Sequence, residues 1–119
     1  MDIESFRNYC LAKKGVTEEL PFGPDTLVFK VMGKVFTLAA LDTAPLRVNL
    51  KCDPERALQL REEHDTSILP GYHMNKKHWN TLVLDGRLDW KLVFELTDHS
   101  YELVAAGLTK KQQQELENL

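Results

Sequence analysis

The stretch LRVNLKC, residues 46–52, has the most regular alternation of apolar and polar side chains in the chain. Successive side chains of a β-strand point to opposite faces of a sheet, so this pattern predicts a strand with one buried and one open face. The apolar positions are expected to point into the core: Leu46, Val48, Leu50 and Cys52. The polar positions are expected on the opposite face: Arg47, Asn49 and Lys51.

Two further strands are predicted upstream of this one. Residues 27–31 alternate in the same way, and Gly33-Lys34 is typical of a tight turn because glycine readily adopts a positive φ. The mostly apolar run 35–41 indicates a central strand, and residues 42–45 form the next turn. Three consecutive antiparallel strands with one polar face predict a meander that helices cover on its other side.

Helices are predicted before and after the meander. Asp2 is expected to cap the first, whose apolar positions 3, 6 and 10 form one stripe. Asp53-Pro54-Glu55 is typical of a helix start, and this second helix is expected to end near Glu63 or His64.

The C-terminal part is predicted to contain a strand at Thr81–Leu84, a long core helix and a tail. The long helix covers about residues 88–105, because its apolar stripe is the broadest in the chain. Thr109 is expected to cap a short, frayed tail helix within residues 109–119. The expected fold class is therefore α+β, with an antiparallel sheet covered on one face by helices.

Composition limits the classes of protein that this chain can represent. With 119 residues, 43% apolar and 28% charged, residues 1–119 are expected to form a single globular domain, with a monomer favoured. No apolar run reaches the roughly 20 residues of a membrane helix, and MDIESFRN is unlike a signal peptide, so a cytoplasmic protein is expected. Cys10 and Cys52 are expected to be buried and reduced, with neither a bridge between them nor a bound metal.

The densest group of polar and aromatic residues is ILPGYHMNKKHWNTLVL, residues 68–84. Loops of this kind beside a scaffold strand often carry function. The alternative is structural, with Trp79 and Tyr72 filling the core and Lys76 and Lys77 in a solvated turn. Trp79 in particular is expected to be substantially buried.

Catalysis is not expected from this sequence. It contains no HExxH helix, no GxSxG elbow and no GxGxxG loop, and His73 and His78 flank a turn rather than share a helix face. A binding protein without enzymatic activity is therefore expected, with no cofactor and no metal.

The segment PGYHMNKKHWNT, residues 70–81, resembles the central motif of the MmcQ/YjbR family. The resemblance extends along nearly the whole chain, through residues 10–15, 21–24, 29–36, 49–57 and 99–104. It implies a small α+β domain similar to the bacterial frataxin (CyaY-like) fold, and a DNA-binding function attached to a double-wing arrangement of strands and loops. Iron binding is not implied, because the acids of the first helix are only Asp2 and Glu4 and basic residues oppose them.

The net charge of −3 argues against a dedicated electrostatic binder of nucleic acid, so contacts with phosphates require a local basic patch. The expected partner is duplex DNA, bound weakly and without sequence preference. The alternative is a protein- or small-ligand-binding adaptor that uses the same polar sheet face. Intervening acids, Asp25, Asp42 and Asp85, would remove most of the support for nucleic acid. The candidate nucleic-acid contacts are Arg47, Lys51, Tyr72, His73, Asn75, Lys76, Lys77 and His78.

Overall fold

The computed structural model describes residues 2–119, which form one antiparallel sheet and four helices. The strands are β1 (Val16–Glu19), β2 (Thr26–Val31), β3 (Lys34–Ala40), β4 (Leu46–Lys51), β5 (Ile68–Pro70) and β6 (Trp79–Leu84), in the spatial order β1-β2-β3-β4-β6-β5. The helices are α1 (Ile3–Leu11), α2 (Pro54–Glu63), α3 (Trp90–Ala106) and α4 (Lys110–Glu117). The predicted α+β class is confirmed, whereas the closer likeness to the frataxin fold stays a prediction.

Side-chain caps set where the helices begin. The Asp2 carboxylate accepts a hydrogen bond from the Ser5 N–H at 2.8 Å, and Asp53 accepts from the Arg56 N–H at 3.2 Å. These caps satisfy backbone donors that have no partner within the helix, as the sequence predicts. Asp89 caps α3 in the same way, so this helix begins at Trp90, two residues later than predicted. Thr109 and Gln112 form a reciprocal capping box that starts α4.

All four helices lie on one face of the sheet, the covered face. Phe29 and Leu50 of the sheet join Phe6 of α1, Ala57 of α2 and Val93 of α3 in one buried core cluster, and Leu116 of α4 packs against it. The Ser100 hydroxyl is one of the polar groups buried here: it donates to the Phe36 carbonyl at 2.6 Å and accepts from the Lys51 N–H at 2.9 Å. It thereby satisfies backbone groups of β3 and β4 without breaking the core.

The opposite side, the open face, follows from the register of the strands. Ala40 pairs with Arg47, Leu38 with Asn49, and Asn49 with Thr81, so these side chains share one side of the sheet. Val28 and Val83 alternate with core positions and are buried, yet neither belongs to the core cluster. The open face therefore has apolar character of its own.

Three details of the sequence prediction are wrong or incomplete. The hairpin turn between β2 and β3 is Met32-Gly33 rather than Gly33-Lys34, with φ of 48° and 84°, and Lys34 is already in β3. Two short strands, β1 and β5, carry too little apolar alternation to be predicted. Trp79 is only partly buried and lies on the open face, opposite Lys51, rather than in the core.

Within residues 2–119, no helix combines the length and apolar character that crossing a membrane requires.

Candidate functional site

A groove of about 840 Å³ lies on the open face of the sheet. Its floor includes Leu38, Asn49 and Thr81, from three adjacent strands. One wall is the motif loop, which we define as residues 71–78, and the other is the turn of residues 42–45 between β3 and β4. Volumes between about 300 and 1,000 Å³ are typical of small-molecule pockets, so the groove is large enough to bind a ligand.

Aromatic side chains project at the edge of the groove. The Tyr72 side chain is 68% exposed, and Phe22, from the β1–β2 connection, is 74% exposed. Trp79 is partly buried at the start of β6 and lines the same groove. Tyr72 is therefore not a core residue, and the three rings offer apolar surface for a flat ligand.

The motif loop is held to β6 by backbone hydrogen bonds. The Gly71 N–H donates to the Trp79 carbonyl at 2.9 Å, and the Asn75 carbonyl accepts from the N–H groups of His78 and Trp79 at 3.1 and 3.0 Å. A β-carbon at Gly71 would lie 2.8 Å from the Trp79 β-carbon and 2.9 Å from its carbonyl oxygen. Only glycine fits this close approach, which fixes the loop beside the groove.

Arg61 of α2 supports the motif loop from behind. Its Nε donates to Asn80 Oδ1 at 2.6 Å, and its Nη2 donates to the carbonyls of Lys76 and, at 3.3 Å, Trp79. Asn80 is buried, and its amide in turn donates to the Ala57 carbonyl at 3.3 Å. The planar, multiply donating guanidinium thus ties α2, β6 and the motif loop together.

His73 lies within the motif loop in the left-handed region, with φ of 58°. Its ring centroid is 4.0 Å from that of Tyr72, and both side chains line the groove. Non-glycine residues in this region are uncommon and tend to occur at ligand-binding sites. The backbone of His73 therefore marks the loop as a candidate site independently of its side-chain chemistry.

Two polar side chains of the floor are linked. The Thr81 hydroxyl accepts from the Tyr72 N–H at 3.1 Å and donates to Asn49 Oδ1. This bond uses one of the two lone pairs of Oδ1, so the Asn49 amide keeps both N–H donors and one acceptor position for further hydrogen bonds. The structure shows no protein partner for these donors among residues 2–119, and Asn49 lines the groove.

The structure brings together only some of the candidate contacts. Arg47, Tyr72 and His73 line the groove. Lys51, at the end of β4, does not line it, and neither do the remaining candidates, Asn75, Lys76, Lys77 and His78, which lie in the motif loop.

Asn75 and His78 have evident structural roles in the loop. The Asn75 side-chain oxygen accepts from the Lys77 N–H at 3.0 Å, and the His78 carbonyl accepts from the Cys52 N–H at 2.8 Å. Their candidate contacts with nucleic acid stay predictions.

Arg47 and Asp42 line the groove with opposite charges, and the basic candidates beside it are unpaired among the described residues. Across the described part of the chain, Arg47, Lys51, Lys76 and Lys77 form no ion pair, whereas Lys30 pairs with Glu19. Of the three acids that were expected to matter, only Asp42 lines the groove. Asp85 instead pairs with Arg87 at 2.7 Å, and Asp25 does not line the groove.

Sequence reasoning missed several lining residues. Asn49 lies two residues after Arg47 on the same face of β4, so its place on the open face was evident. Its contact with Thr81, however, depends on the register between β4 and β6. Phe22 and Met74 reach the groove from loops, which no periodic pattern describes.

Neither thiol lies at the groove. Cys10 and Cys52 are both free and buried on the covered face, as predicted. Burial raises the pKa of the Cys10 thiol to about 12 and also raises the pKa of Cys52. Such thiols are poor nucleophiles at neutral pH. In the described chain, no three His, Cys, Asp or Glu side chains are grouped as a metal site requires.

Comparison with known proteins identifies related chains. The YjbR family model matches residues 11–103. The uncharacterized protein YbdF of Escherichia coli O157:H7 is 42% identical over 93 residues, covering 78% of this chain and 75% of YbdF. The uncharacterized protein YjbR of Escherichia coli K12 is 33% identical over 102 residues, covering 86% of each chain.

Solved structures show the same fold. A crystal structure of a Deinococcus radiodurans protein superposes with a TM-score of 0.91 at 43% identity, covering 97% of this chain and 87% of the other. A Pseudomonas syringae protein superposes with a TM-score of 0.75 at 29% identity, covering 87% of this chain and 98% of the other.

Proposed function

Because the chain belongs to the YjbR family, we propose that its open sheet face binds nucleic acid and performs no chemistry of its own. The observation that carries this proposal is an aromatic-edged groove with unpaired cations on and beside it. Arg47 lines the groove, and Lys76 and Lys77 are exposed on the loop that forms its wall. Nucleic-acid recognition needs both features, cations for phosphates and apolar surface for bases.

The cations are available because they are not held in ion pairs in the described chain. An arginine or lysine that already pairs with a carboxylate gains less from a phosphate, since it must give up the first partner. Arg7, Lys13 and Arg56 are engaged in this way elsewhere on the surface. The four candidate cations form no such pair within residues 2–119. They therefore remain the strongest candidates for phosphate contacts.

Affinity is expected to be modest. The chain carries a net charge of −3, and Asp42 lines the groove. Both repel phosphates and reduce long-range attraction. We expect dissociation constants in the micromolar range or weaker at physiological salt, as for other non-specific contacts. In this proposal the two walls of the groove, the motif loop and the β3–β4 turn, act as the two wings of the double-wing arrangement.

The test is a fluorescence-anisotropy titration of labelled DNA at two salt concentrations. Each phosphate contact removed reduces the slope of log affinity against log salt by about one. The Lys76→Ala/Lys77→Ala variant is therefore expected to bind more weakly and to lose about two units of slope.

The matched control is Lys110→Ala/Lys111→Ala, which makes the same charge change on exposed residues of α4 outside the groove. It is expected to retain most of the wild-type salt slope. Equal losses in the two double variants would indicate a general charge effect and contradict the assigned surface. Absence of binding by the wild-type protein at low salt would overturn the proposal.

The second candidate function is an adaptor that binds a small ligand or a protein on the same face. The groove volume of about 840 Å³ supports it, because this is the size of a small-molecule pocket. Thermal-shift measurements with aromatic carboxylates and phosphates distinguish the candidates. A ligand that stabilises the wild-type protein, together with no binding of DNA at low salt, favours the adaptor.

A further inference from the structure

We infer that the groove accommodates one unpaired base of a single strand, while the sugar–phosphate backbone stays outside it; this inference rests on the proposed function. A duplex keeps its bases stacked and paired inside, so it cannot place a base in a concave site without breaking a pair. The groove is concave, and its floor is recessed between the motif loop and the β3–β4 turn.

The aromatic residues are placed for stacking rather than for the core. Tyr72 and Phe22 are 68% and 74% exposed at the groove, and Trp79 lines the same space. Every base has a flat π-surface, and stacking on an aromatic side chain changes affinity by about tenfold or more per base. Phosphate binding alone needs no aromatic residues, so the rings favour a ligand that presents a base.

The floor also offers hydrogen-bond donors to the edge of a base. The Thr81 hydroxyl donates to Asn49 Oδ1 and fixes the orientation of the amide, and the Asn49 N–H groups remain for an acceptor in the groove. Base carbonyls and ring nitrogens are such acceptors. Asn49 is thus oriented before a ligand arrives, and its orientation depends on the same Thr81 hydroxyl that holds Tyr72 in place.

The charges indicate which part of the nucleotide enters. Arg47 precedes Asn49 by two residues on the same strand face, so the two are about 7 Å apart along β4. Asp42 also lines the groove and repels a phosphate backbone that would run along its length. We therefore place the base inside the groove, its own phosphate beside Arg47 and the neighbouring phosphates toward Lys76 and Lys77. In this arrangement the phosphates lie near the cations and away from Asp42.

The test compares three ligands by anisotropy and competition: an oligothymidine of about ten nucleotides, a blunt duplex of the same length, and free thymidine monophosphate. We expect the single strand to bind about tenfold more tightly than the duplex. We also expect the free nucleotide to compete only at much higher concentration, because it lacks the neighbouring phosphates.

Two substitutions test the contacts themselves. Tyr72→Ala and Asn49→Ala are each expected to weaken single-strand binding by about tenfold while changing duplex binding little. The matched control is Trp90→Ala, which removes a 41% exposed indole from α3 outside the groove and is expected to leave binding unchanged. Circular dichroism of each variant checks that it folds.

A spectroscopic readout avoids dependence on those variants. The chain contains two tryptophans, so Trp90→Phe leaves Trp79 as the only indole. We expect its fluorescence to be quenched by the single strand and not by the duplex.

The two proposals fail in different ways. No binding of either strand form at low salt overturns the proposed function. The base-in-groove inference is overturned if the duplex binds as tightly as the single strand or more tightly, and if Tyr72→Ala does not change single-strand binding. Nucleic-acid binding itself then still stands. A free nucleotide that binds as tightly as the oligonucleotide also overturns this inference, since the site then selects a small molecule.

Discussion

The covered and open faces of the sheet use the same strands but have different neighbours. On β4, Val48 and Leu50 are 1% and 2% exposed beneath the helices, while Arg47 and Asn49 alternate with them on the other side. The covered face is closed by α-helices whose apolar stripes match it. The open face is partly closed by a loop and a turn, which leave a groove between them. Loops that cover a sheet incompletely can hold a ligand where helices would form a core.

The comparison also separates two ways of keeping an aromatic residue in place. Phe29 on the covered face is fully buried and packs edge-on against Phe6, with ring centroids 6.3 Å apart. Trp79 on the open face is partly buried, and its backbone rather than its ring is fixed by Gly71 and Arg61. Stability should therefore depend more on the phenylalanine, and binding more on the tryptophan.

The largest expected effect is on the free energy of unfolding. Phe29→Ala is expected to lower it by about 3–5 kcal/mol, because a full aromatic side chain leaves the core. Trp79→Ala is expected to cost less than half as much, since its ring borders the groove rather than the core. Urea denaturation of both variants, followed by circular dichroism, measures the difference. Equal losses would show that the open face is as much a core as the covered face.

Arg61→Met tests the connection between the two faces. Methionine keeps apolar length but leaves Asn80 Oδ1 and the Lys76 and Trp79 carbonyls without this donor. We expect a loss of about 1–3 kcal/mol in unfolding free energy, the usual cost of buried groups left unsatisfied. Lysine at position 61 should restore little, because an ammonium cannot reproduce the planar arrangement of donors.

The matched control for this substitution is Arg87→Met. Arg87 is a 61% exposed arginine that pairs with Asp85. Its loss should change the unfolding free energy by less than about 0.5 kcal/mol, as is usual at the surface. If Arg61→Met were equally mild, α2 would not be holding the motif loop.

Much of the covered face was predictable, because local rules determine it. The alternation of residues 46–52 separates the two faces of β4, and the caps Asp2, Asp53 and Thr109 mark helix starts. These signals lie within a few residues of the feature that they specify. β1 was not predictable, since VTEE is four residues long and is ordered by pairing with β2.

The groove was less predictable, because contacts between distant residues form it. Tyr72 is placed by Thr81 and the motif loop by Arg61, which precedes Lys76 by 15 residues. The resemblance to a family identified the motif loop but not the wall across from it. Trp79 is an example. The sequence shows that Trp79 and Thr81 share one face of β6, but it does not show which residues from other strands and loops lie beside them on that face.

Between pH 9 and 10, the two buried thiols of the covered face contribute to the pH dependence of stability. Burial raises the pKa of Cys10 from 9.0 to about 12. Between these values the unfolded chain releases a proton that the folded chain retains, so the free energy of unfolding falls as pH rises. We expect a contribution of about 1 kcal/mol per pH unit from Cys10 between pH 9 and 10. Below pH 8 the thiol is protonated in both the folded and the unfolded chain. Cys10 should therefore cause no change in the free energy of unfolding with pH in that range.

Cys10→Ala checks this assignment by urea denaturation at pH 8, 9 and 10. The variant is expected to show a shallower fall, although its stability is lower at every pH because of the cavity. Cys52 keeps part of the slope, since burial raises the pKa of its thiol too. Tyr9 contributes mainly above pH 10, as burial and the Asp98 carboxylate raise its pKa from 10.0 to about 12. An unchanged slope in Cys10→Ala would remove this thiol as the cause.

The smallest expected effect compares two left-handed residues, one for each face. Met32, with φ of 48°, is in the β2–β3 turn and packs against the core cluster, whereas His73, with φ of 58°, lies at the groove. Glycine removes a backbone penalty of about 1–2 kcal/mol at either site, but the greater freedom of the unfolded chain offsets about 0.5–1 kcal/mol of that gain. His73→Gly should therefore raise the unfolding free energy by up to about 1 kcal/mol. Met32→Gly loses core packing as well, so it should be neutral or destabilising.

Binding should rank the same pair in the opposite order. His73→Gly loosens the motif loop and removes a ring beside Tyr72, so oligonucleotide binding should weaken although the fold is as stable or more so. Met32→Gly should bind as the wild type does, because Met32 does not line the groove. Denaturation and anisotropy on the two variants provide the measurement. If His73→Gly were more stable and bound the oligonucleotide as well as the wild type does, the left-handed backbone of His73 would contribute nothing to binding. The motif loop would then differ from the β2–β3 turn only in its position.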